Sequence, residues 1–379
     1  MRTLDLSRRL VGKVRNAVLN NQAPKWLTSP EYAKKFDENW HRAYEQMPNI
    51  RPPVVYHGTL VADLQKRLDP VFPEMGVLEL TNARLYGQAG WVFSKEGYLL
   101  PDHSWYGQHV NEMPPVPRFL PKGQRLEGVC MSLASDFALG NYAHFLLDCL
   151  GRLQLFYQTG FKLSDVDHIF CPKPPSKTAQ GLFDQLGIPT SKCIWANENE
   201  NNVVHVETLL APTFPGTRRN YPKWLPAFLQ QEFLPSPPAP SRRLYISRTG
   251  CRRNAVNEAA ITHILIRYGF EIYDPAQHIN QPYDFAEAAI IVAPHGGGLA
   301  NLAFCQPGTK VLELIPTDHV YPYYYTLSDA AGLEYECLVC QSTDDRASDA
   351  WGPSPHDFYV NEDEFDRALA QITGEAKSR

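Results

Sequence analysis

Three consecutive glycines are the most distinctive chemical feature of this sequence of 379 residues. They lie in the run Ala293-Pro-His-Gly-Gly-Gly-Leu-Ala-Asn301, directly after an apolar, strand-like segment. Because glycine lacks a β-carbon, the N–H groups of Gly296, Gly297 and Gly298 can approach an oxyanion closely. A helix predicted to begin at Leu299 would direct its positive end at the same place. The run therefore predicts a phosphate-binding loop.

A cluster of arginines follows another strand-like segment. Arg248 comes directly after Arg243-Leu-Tyr-Ile-Ser247, and Arg252 and Arg253 follow four and five residues later. Ligands of an open parallel sheet bind beyond the carboxyl ends of its strands, and arginine forms charge-assisted contacts with phosphate oxygens. His295 could donate to the same oxygens. The alternative, a flexible glycine turn beside an incidental histidine, is weakened by this convergence on one sheet edge.

A histidine and an aspartate four residues apart could supply a catalytic base. Asn141 occupies the N-cap position of a predicted helix, His144 falls in its first turn, and Asp148 shares its face. A helix N-terminus disfavours an imidazolium ion, so we expect a neutral His144 that can accept a proton. Asp148 could orient His144 or act as the base itself. Spacing alone favours the alternative that His144 is a histidine of the core.

Metal and nucleic-acid sites are not expected from this sequence. The motif Asp165-Val-Asp167 precedes a strand at the edge opposite the glycine loop, so we interpret it as a solvated loop and expect no metal. The net charge is -5, which provides no basic field for a polynucleotide. The 44% hydrophobic and 20% charged content is typical of a soluble globular protein.

The first 25 residues resemble a basic amphipathic helix. Such a helix could contact an anionic membrane surface, or it could equally pack on its own domain. No apolar run reaches the roughly 18 to 20 residues that span a bilayer, and Met1 to Asn20 has no apolar core typical of a signal peptide. We therefore expect a cytoplasmic protein that could contact the inner surface of the membrane.

The order of apolar segments predicts an α/β protein with two Rossmann-like lobes, a cleft between them and β-hairpins in the N-terminal lobe. A segment rich in proline, serine and alanine separates the lobes. The predicted divisions are an N-terminal helical extension at 1–50, an N-terminal, acceptor-side lobe at 51–234, a linker at 235–241 and a C-terminal lobe at 242–379.

The motifs and their order resemble the catalytic domain of family 61 glycosyltransferases, from about Gly128 to Pro316. The family includes plant β-1,2-xylosyltransferases and bacterial capsule-synthesis proteins, and it more often has His-Gly-Ala-Gly where this chain has His-Gly-Gly-Gly. The motifs that carry the resemblance are Asn141-Tyr-Ala-His144 with Asp148, Leu244-Tyr-Ile-Ser-Arg248, Arg253 with Asn257-Glu258, Pro294 to Asn301, and Pro307 to Glu313.

This resemblance implies a GT-B fold, a UDP-sugar held mainly by the C-terminal lobe, and inversion at the anomeric carbon without a metal. His144 and Asp148 fall on the N-terminal catalytic motif. Glu313, at the end of a strand, is a further candidate for binding the ribose hydroxyls. The positions expected to bind the donor are Arg248, Arg253, Asn257, Glu258, His295, Gly296, Gly297, Gly298, Asn301 and Glu313.

The resemblance thus predicts an enzyme that moves a pentose or an N-acetylhexosamine from a UDP-sugar to a hydroxyl of a glycan or glycolipid. A bacterial role in surface or capsular polysaccharide synthesis would fit. Two other classes stay open: a family member that binds a nucleotide-sugar or glycan without turnover, and a nucleotide-dependent oxidoreductase. The latter would need G-x-G-x-x-G after its first strand, whereas the glycines follow a later strand.

Overall fold

The computed structural model describes residues 24–106, 120, 123–198, 203–344 and 356–375. The amphipathic helix predicted for the first 25 residues lies almost wholly outside these ranges and stays a prediction. No helix in the described ranges is long and apolar enough to cross a membrane.

The described strands are grouped into two large sheets and a short two-stranded one. They are β1 Asn39–Tyr44, β2 Met47–Pro48, β3 Val55–His57, β4 Val71–Phe72, β5 Met75–Tyr86, β6 Trp91–Phe93, β7 Gln124–Ser132, β8 His168–Cys171, β9 Cys193–Trp195, β10 Val203–Pro212, β11 Arg242–Ile246, β12 Glu271–Tyr273, β13 Ala288–Pro294, β14 Lys310–Pro316, β15 Glu334–Ser342 and β16 Phe358–Tyr359.

The described helices are mostly short and connect successive strands. The α-helices are α1 Ser29–Phe36, α2 Pro101–Ser104, α3 Tyr142–His144, α4 Leu153–Gln158, α5 Lys177–Gln185, α6 Trp224–Phe233, α7 Glu258–Arg267, α8 Gln281–Ala286, α9 Tyr323–Ala330 and α10 Glu362–Thr373. A π turn spans Phe145–Cys149, and 3-10 turns span Gln65–Arg67, Leu150–Arg152, Leu163–Asp165, Thr190–Lys192, Ala196–Glu198, Pro275–Gln277 and Gly297–Phe304.

The first sheet has the order β1-β5-β10-β7-β8-β9, with β6 paired to β5. It is parallel from β10 to β9, whereas β5 runs antiparallel to its neighbours. β5 and β6 form a hairpin, which confirms the hairpin predicted from the alternation in this region. The parallel half has its strand carboxyl ends on one edge, where α3 begins.

The second sheet has the order β12-β11-β13-β14-β15-β16, and its strands from β12 to β15 are parallel. The strands β13 and β14 are almost continuously apolar and buried, as expected for a parallel sheet covered on both faces. The alternation predicted for this half of the chain is confirmed. The two sheets together are consistent with two Rossmann-like lobes.

Two strand pairings cross the boundaries of the predicted domain division, which stays a prediction. The extension at 1–50 is not wholly helical, because β1 pairs with β5 inside the first sheet. Strand β3 lies in the predicted N-terminal lobe, yet it pairs in parallel with β15 of the second sheet. Backbone pairing between segments so distant in sequence leaves no local signal. Residues 235–241 connect α6 to β11 without regular structure.

Two predicted helices differ in form from what their periodicity suggested. The helix after Asn141 is interrupted by the π turn and a 3-10 turn before it continues as α4. The helix predicted to begin at Leu299 is a 3-10 helix that already begins at Gly297, and the Leu299 N–H donates to the Gly296 carbonyl at 2.9 Å. Each residue from Leu299 to Phe304 is buried, so packing on all sides holds this short helix in place.

Candidate active site

The capped start of α3 positions a histidine–aspartate pair. The Asn141 carboxamide oxygen accepts from the N–H groups of Ala143 at 3.0 Å and His144 at 3.4 Å, so the predicted N-cap is confirmed. The π turn then carries Asp148 onto the same face. The distance from His144 Nδ1 to Asp148 Oδ2 is 2.7 Å, as their spacing predicted. π turns inside helices frequently mark functional sites.

Asp148 is fully buried, and each of its oxygens is engaged. Oδ2 accepts from Arg219 Nε at 3.0 Å, and Oδ1 accepts from the Tyr221 hydroxyl at 3.3 Å. Burial alone would raise the pKa of this carboxyl, but Arg219 and His144 outweigh burial and hold the pKa below its usual value. Asp148 is therefore ionised at neutral pH and can accept a proton from His144 Nδ1, which also lies 3.2 Å from Arg219 Nε.

Arg219 completes this network, and the sequence reasoning missed it. Its Nη2 donates to Asp136 Oδ1 at 2.8 Å, and its side chain is only 3% exposed. Burial would lower the pKa of the guanidinium, but Asp136 and Asp148 raise it well above its usual value. The residue lies in the loop between β10 and α6 with a left-handed φ of 54°. No motif marks it, because its partners lie far away in the sequence.

The glycine loop presents unengaged backbone donors. The N–H groups of Gly296, Gly297 and Gly298 have no acceptor among the described residues. The Arg248 guanidinium lies directly against Gly296, where an added β-carbon would stand 1.7 Å from Arg248 Nη1. Gly297 is open, since its nearest neighbour would be 3.8 Å from such a carbon. These features fit the predicted oxyanion site.

Arg253 adds a second guanidinium to the loop. Its Nε donates to the His295 carbonyl at 3.4 Å, and its backbone has a left-handed φ of 59°. Burial and then the charge of Arg248 lower the pKa of Arg253 to about 10. Arg248 itself is hydrogen-bonded to the Arg252 carbonyl at 2.7 Å, and within the described ranges no carboxylate pairs with it. Two cations that repel each other favour a bound anion.

His295 and Glu313 form a buried pair behind the loop. His295 Nδ1 is 2.5 Å from Glu313 Oε1, and the Tyr335 hydroxyl donates to Glu313 Oε2 at 2.5 Å. Glu313 is fully buried. Both oxygens of Glu313 are engaged in the core, where the carboxyl positions His295. Its contact with ribose hydroxyls stays a prediction.

Asn257 and Glu258, which were expected to bind the donor directly, hold the loop after β11. The Asn257 carboxamide donates to the Val360 carbonyl at 2.9 Å and accepts from the Val360 N–H at 3.1 Å. Glu258 Oε1 accepts from the hydroxyls of Tyr245 at 3.1 Å and Ser247 at 3.0 Å. Both side chains therefore support the segment between β11 and α7, which carries Arg248.

Asn301 joins the glycine helix to the helix of His144. Its Oδ1 accepts from the Tyr142 hydroxyl at 2.5 Å, and its Nδ2 donates to Gln281 Oε1 at 2.8 Å. Asn301 is fully buried and forms a structural link, and its contact with the donor stays a prediction. This link holds the His144 end of the first lobe against the glycine loop of the second.

An aromatic side chain also connects the two halves of the site. The Tyr323 ring centroid lies 5.9 Å from the Arg219 guanidinium carbon and 6.2 Å from the His295 ring centroid. Burial raises the pKa of Tyr323 to about 12, so its hydroxyl stays protonated. Tyr323 therefore lies near both Arg219 of the base network and His295 of the glycine loop.

The Asp-x-Asp motif accepts hydrogen bonds from the backbone of its own turn and of strand β7. Asp165 Oδ2 accepts from the Lys162 N–H at 2.8 Å, and Asp167 Oδ2 accepts from the Val129 N–H at 2.9 Å. In the part of the chain that is described, no cluster of three or more His, Cys, Asp or Glu side chains could hold a metal ion.

The fold therefore brings the histidine–aspartate pair of the first lobe close to the glycine loop and the two arginines that follow strands of the second lobe. Residues 142–312 match the family model described as Glycosyltransferase 61. A β-1,2-xylosyltransferase of Oryza sativa subsp. japonica is 33% identical over 63 residues, which cover 17% of this chain and 12% of that protein. The chain therefore contains a family 61 glycosyltransferase domain, which confirms the resemblance.

Proposed function

We propose that this glycosyltransferase has a GT-B arrangement and moves a pentose or an N-acetylhexosamine from a UDP-sugar to a glycan or glycolipid hydroxyl, with inversion. The observation that carries the proposal is the hydrogen bond between Tyr142 and Asn301, which joins the helix of His144 to the helix that begins in the glycine loop. A single displacement needs both parts at once: a base beside the attacking hydroxyl and positive groups beside the departing diphosphate.

His144 is the proposed base. Asp148 is fully buried with both oxygens engaged, whereas 18% of the His144 side chain is exposed. With Nδ1 donating to Asp148, Nε2 carries the lone pair that can accept the proton of the attacking hydroxyl. A positioned base of this kind contributes about 10² to 10⁴ in rate. Asp148 is then a positioning residue, and it stabilises the imidazolium that forms.

The glycine loop and the two arginines are the proposed site of the diphosphate. The free N–H groups of the loop are fixed by the fold before the substrate arrives, which is the arrangement that stabilises developing negative charge most effectively. Arg248 and Arg253 can offset the charge of the diphosphate, so we propose turnover without a divalent metal.

The local similarity to a plant enzyme suggests which donors to test first. The local similarity to a β-1,2-xylosyltransferase makes UDP-xylose the first donor to test, with UDP-arabinose and UDP-N-acetylhexosamines next. A role in surface or capsular polysaccharide synthesis, at the cytoplasmic face of a bacterial inner membrane, is the proposed setting. The basic segment at residues 1–25 would provide the peripheral membrane contact.

Release of UDP from these donors, measured with and without EDTA, tests the proposal. We expect release from one donor at a rate that EDTA leaves unchanged, and an equal rate in the control His263→Ala, since His263 is an exposed residue of α7. Binding of UDP without release from any donor, in the presence of glycan acceptors, would favour the non-catalytic alternative. A rate abolished by EDTA would overturn the metal-independent mechanism.

A further inference from the structure

We infer that Glu313 and His295 form a proton relay that delivers a proton to the departing diphosphate. The inference rests on the proposed function, since it assigns a second role at the same site. It starts from the 2.5 Å contact between His295 Nδ1 and Glu313 Oε1, directly before the glycine loop. A histidine there could merely support the loop, so the position of its ring proton decides between the two roles.

The hydrogen bonds around Glu313 determine where the protons lie. The Tyr335 hydroxyl donates to Oε2, so this oxygen is an acceptor and a proton on the carboxyl must lie on Oε1. A protonated Oε1 donates to Nδ1 of His295, and the ring then carries its own proton on Nε2. Among the described residues, Nε2 has no hydrogen-bond partner. It is therefore a donor available to a ligand.

The charges around the pair favour this neutral arrangement, in which the Glu313 carboxyl carries one proton and the His295 ring carries one proton. Burial raises the pKa of Glu313 to about 8, and no cation is paired with it in the described part of the chain. Burial and then the charges of Arg253 and Arg248 lower the pKa of His295 well below its usual value. At pH 7 the carboxyl is therefore protonated and the imidazole neutral. The titratable groups that face the pair are Arg248, Arg253, His319, Tyr324, Tyr335 and Cys337.

The relay moves two protons along one line. When the bond between the sugar C1 and the β-phosphate oxygen breaks, its electron pair stays on that oxygen. The Nε2 proton of His295 passes to the diphosphate, and the Oε1 proton of Glu313 passes to Nδ1. His295 stays neutral throughout, and Glu313 ends as a carboxylate. Departure of UDP opens the site, and a proton from water restores Glu313. The proton of the attacking hydroxyl goes separately to His144.

The pH dependence of Glu313→Gln tests the relay. Glutamine keeps the size of the side chain and can still donate to Nδ1, but it has no proton to transfer. We expect kcat to fall by at least about tenfold, within the range of general acid catalysis, while the Kd of UDP changes by less than about threefold. The wild-type decline of kcat between pH 7 and 9 should be absent in the variant. The control is Glu334→Gln, an exposed neighbour on β15.

The ring nitrogen signals of His295 provide a readout that needs no turnover. In ¹⁵N-labelled enzyme at pH 7 we expect a neutral imidazole with its proton on Nε2. A proton on Nδ1, or a doubly protonated ring, would overturn the relay even if the enzyme releases UDP. Conversely, failure to release UDP from any donor would contradict the proposed function. The ring nitrogen signals of His295 would still show where its proton lies. An unchanged kcat and pH profile in Glu313→Gln would also overturn the relay.

Discussion

The hydroxyl of Tyr142 donates to Asn301 Oδ1 at 2.5 Å and so connects the two halves of the candidate site. Tyr142 is the first residue of α3, two positions before His144, and Asn301 lies in the 3-10 helix that follows the glycine loop. This hydrogen bond therefore directly joins the helix that carries the base to the helix that carries the glycine loop. This arrangement explains why the family motifs at the two ends of the matched region must come together in the fold.

Removal of this contact should weaken both stability and turnover. In Tyr142→Phe the buried oxygen of Asn301 loses its donor, which costs about 1 to 3 kcal/mol in the free energy of unfolding. We expect kcat to fall more than the affinity for UDP, because the anion loop itself is intact. Urea unfolding and steady-state kinetics measure the two effects. Tyr283→Phe is the matched control on α8, and equal effects in the two variants would contradict the role of the contact.

His144→Ala should remove the base without disturbing the anion loop. We expect kcat to fall by about 10² to 10⁴ and the Kd of UDP to stay nearly constant, since His144 lies on the other side of the cleft. Calorimetric titration with UDP and a UDP-release assay check both parts. Asp148→Asn should also lower kcat, because the amide cannot stabilise the imidazolium. Normal turnover in His144→Ala would remove this residue from the mechanism.

Alanine at two neighbouring glycines should have different consequences. In Gly296→Ala the new methyl group would collide with the Arg248 guanidinium, so Arg248 must move and the affinity for UDP should fall about 10- to 100-fold, as for a lost charge-assisted contact. In Gly297→Ala the methyl group meets no protein atom closer than 3.8 Å, so stability should stay unchanged. A lower UDP affinity in Gly297→Ala would then report that the ligand itself approaches this glycine. UDP affinity equal to wild type in both variants would contradict the proposed site.

Arg219 should be essential for stability. In Arg219→Met the buried carboxylates of Asp136 and Asp148 lose their partner, which costs about 3 to 5 kcal/mol in the free energy of unfolding. Urea unfolding measures this loss. Arg218→Met is the comparison, because Arg218 pairs with Asp69 at a half-buried site and should cost less. A cost for Arg219→Met no greater than for Arg218→Met would contradict the role assigned to the network.

Glu313 should make the stability of the wild type depend on pH. Its pKa in the folded protein is raised to about 8, so between about pH 4.5 and pH 8 the unfolded state releases a proton that the folded state retains. This group's contribution to stability is therefore lost as pH rises through that window, by up to about 1.4 kcal/mol per pH unit. Relative to the wild type, the free energy of unfolding of Glu313→Gln should therefore increase over the same pH range. Urea unfolding of both proteins at pH 5, 6, 7 and 8 measures this change. A difference in unfolding free energy that stays constant with pH would contradict the raised pKa.

The elements of the second lobe could be predicted because each one leaves a local signal. Apolar strands alternate with helices there, and the glycine run and Arg248 follow two of the strands. The contact between His144 and Asp148 could also be predicted, since a spacing of four residues on a helix brings side chains together. These features depend on neighbours in the sequence.

Other features depend on contacts between distant segments and leave no such signal. β3 joins the second sheet across about two hundred and eighty residues, a separation that alternation in the sequence does not reveal. Arg219 reaches Asp136 and Asp148 from a loop with no periodicity. Glu313 was predicted to lie at the end of a strand, whereas it lies in the middle of β14 with its side chain in the core, a direction that the sequence does not reveal.

The anomeric configuration of the sugar released from the active donor tests the central claim most directly. Proton NMR can follow the slow hydrolysis of a UDP-α-sugar without an identified acceptor, before the two anomers equilibrate. A single displacement at C1, with water activated by His144, predicts that the β-anomer appears first and that His144→Ala releases none. First appearance of the α-anomer, or an unchanged rate in His144→Ala, would contradict the inverting mechanism proposed for this site.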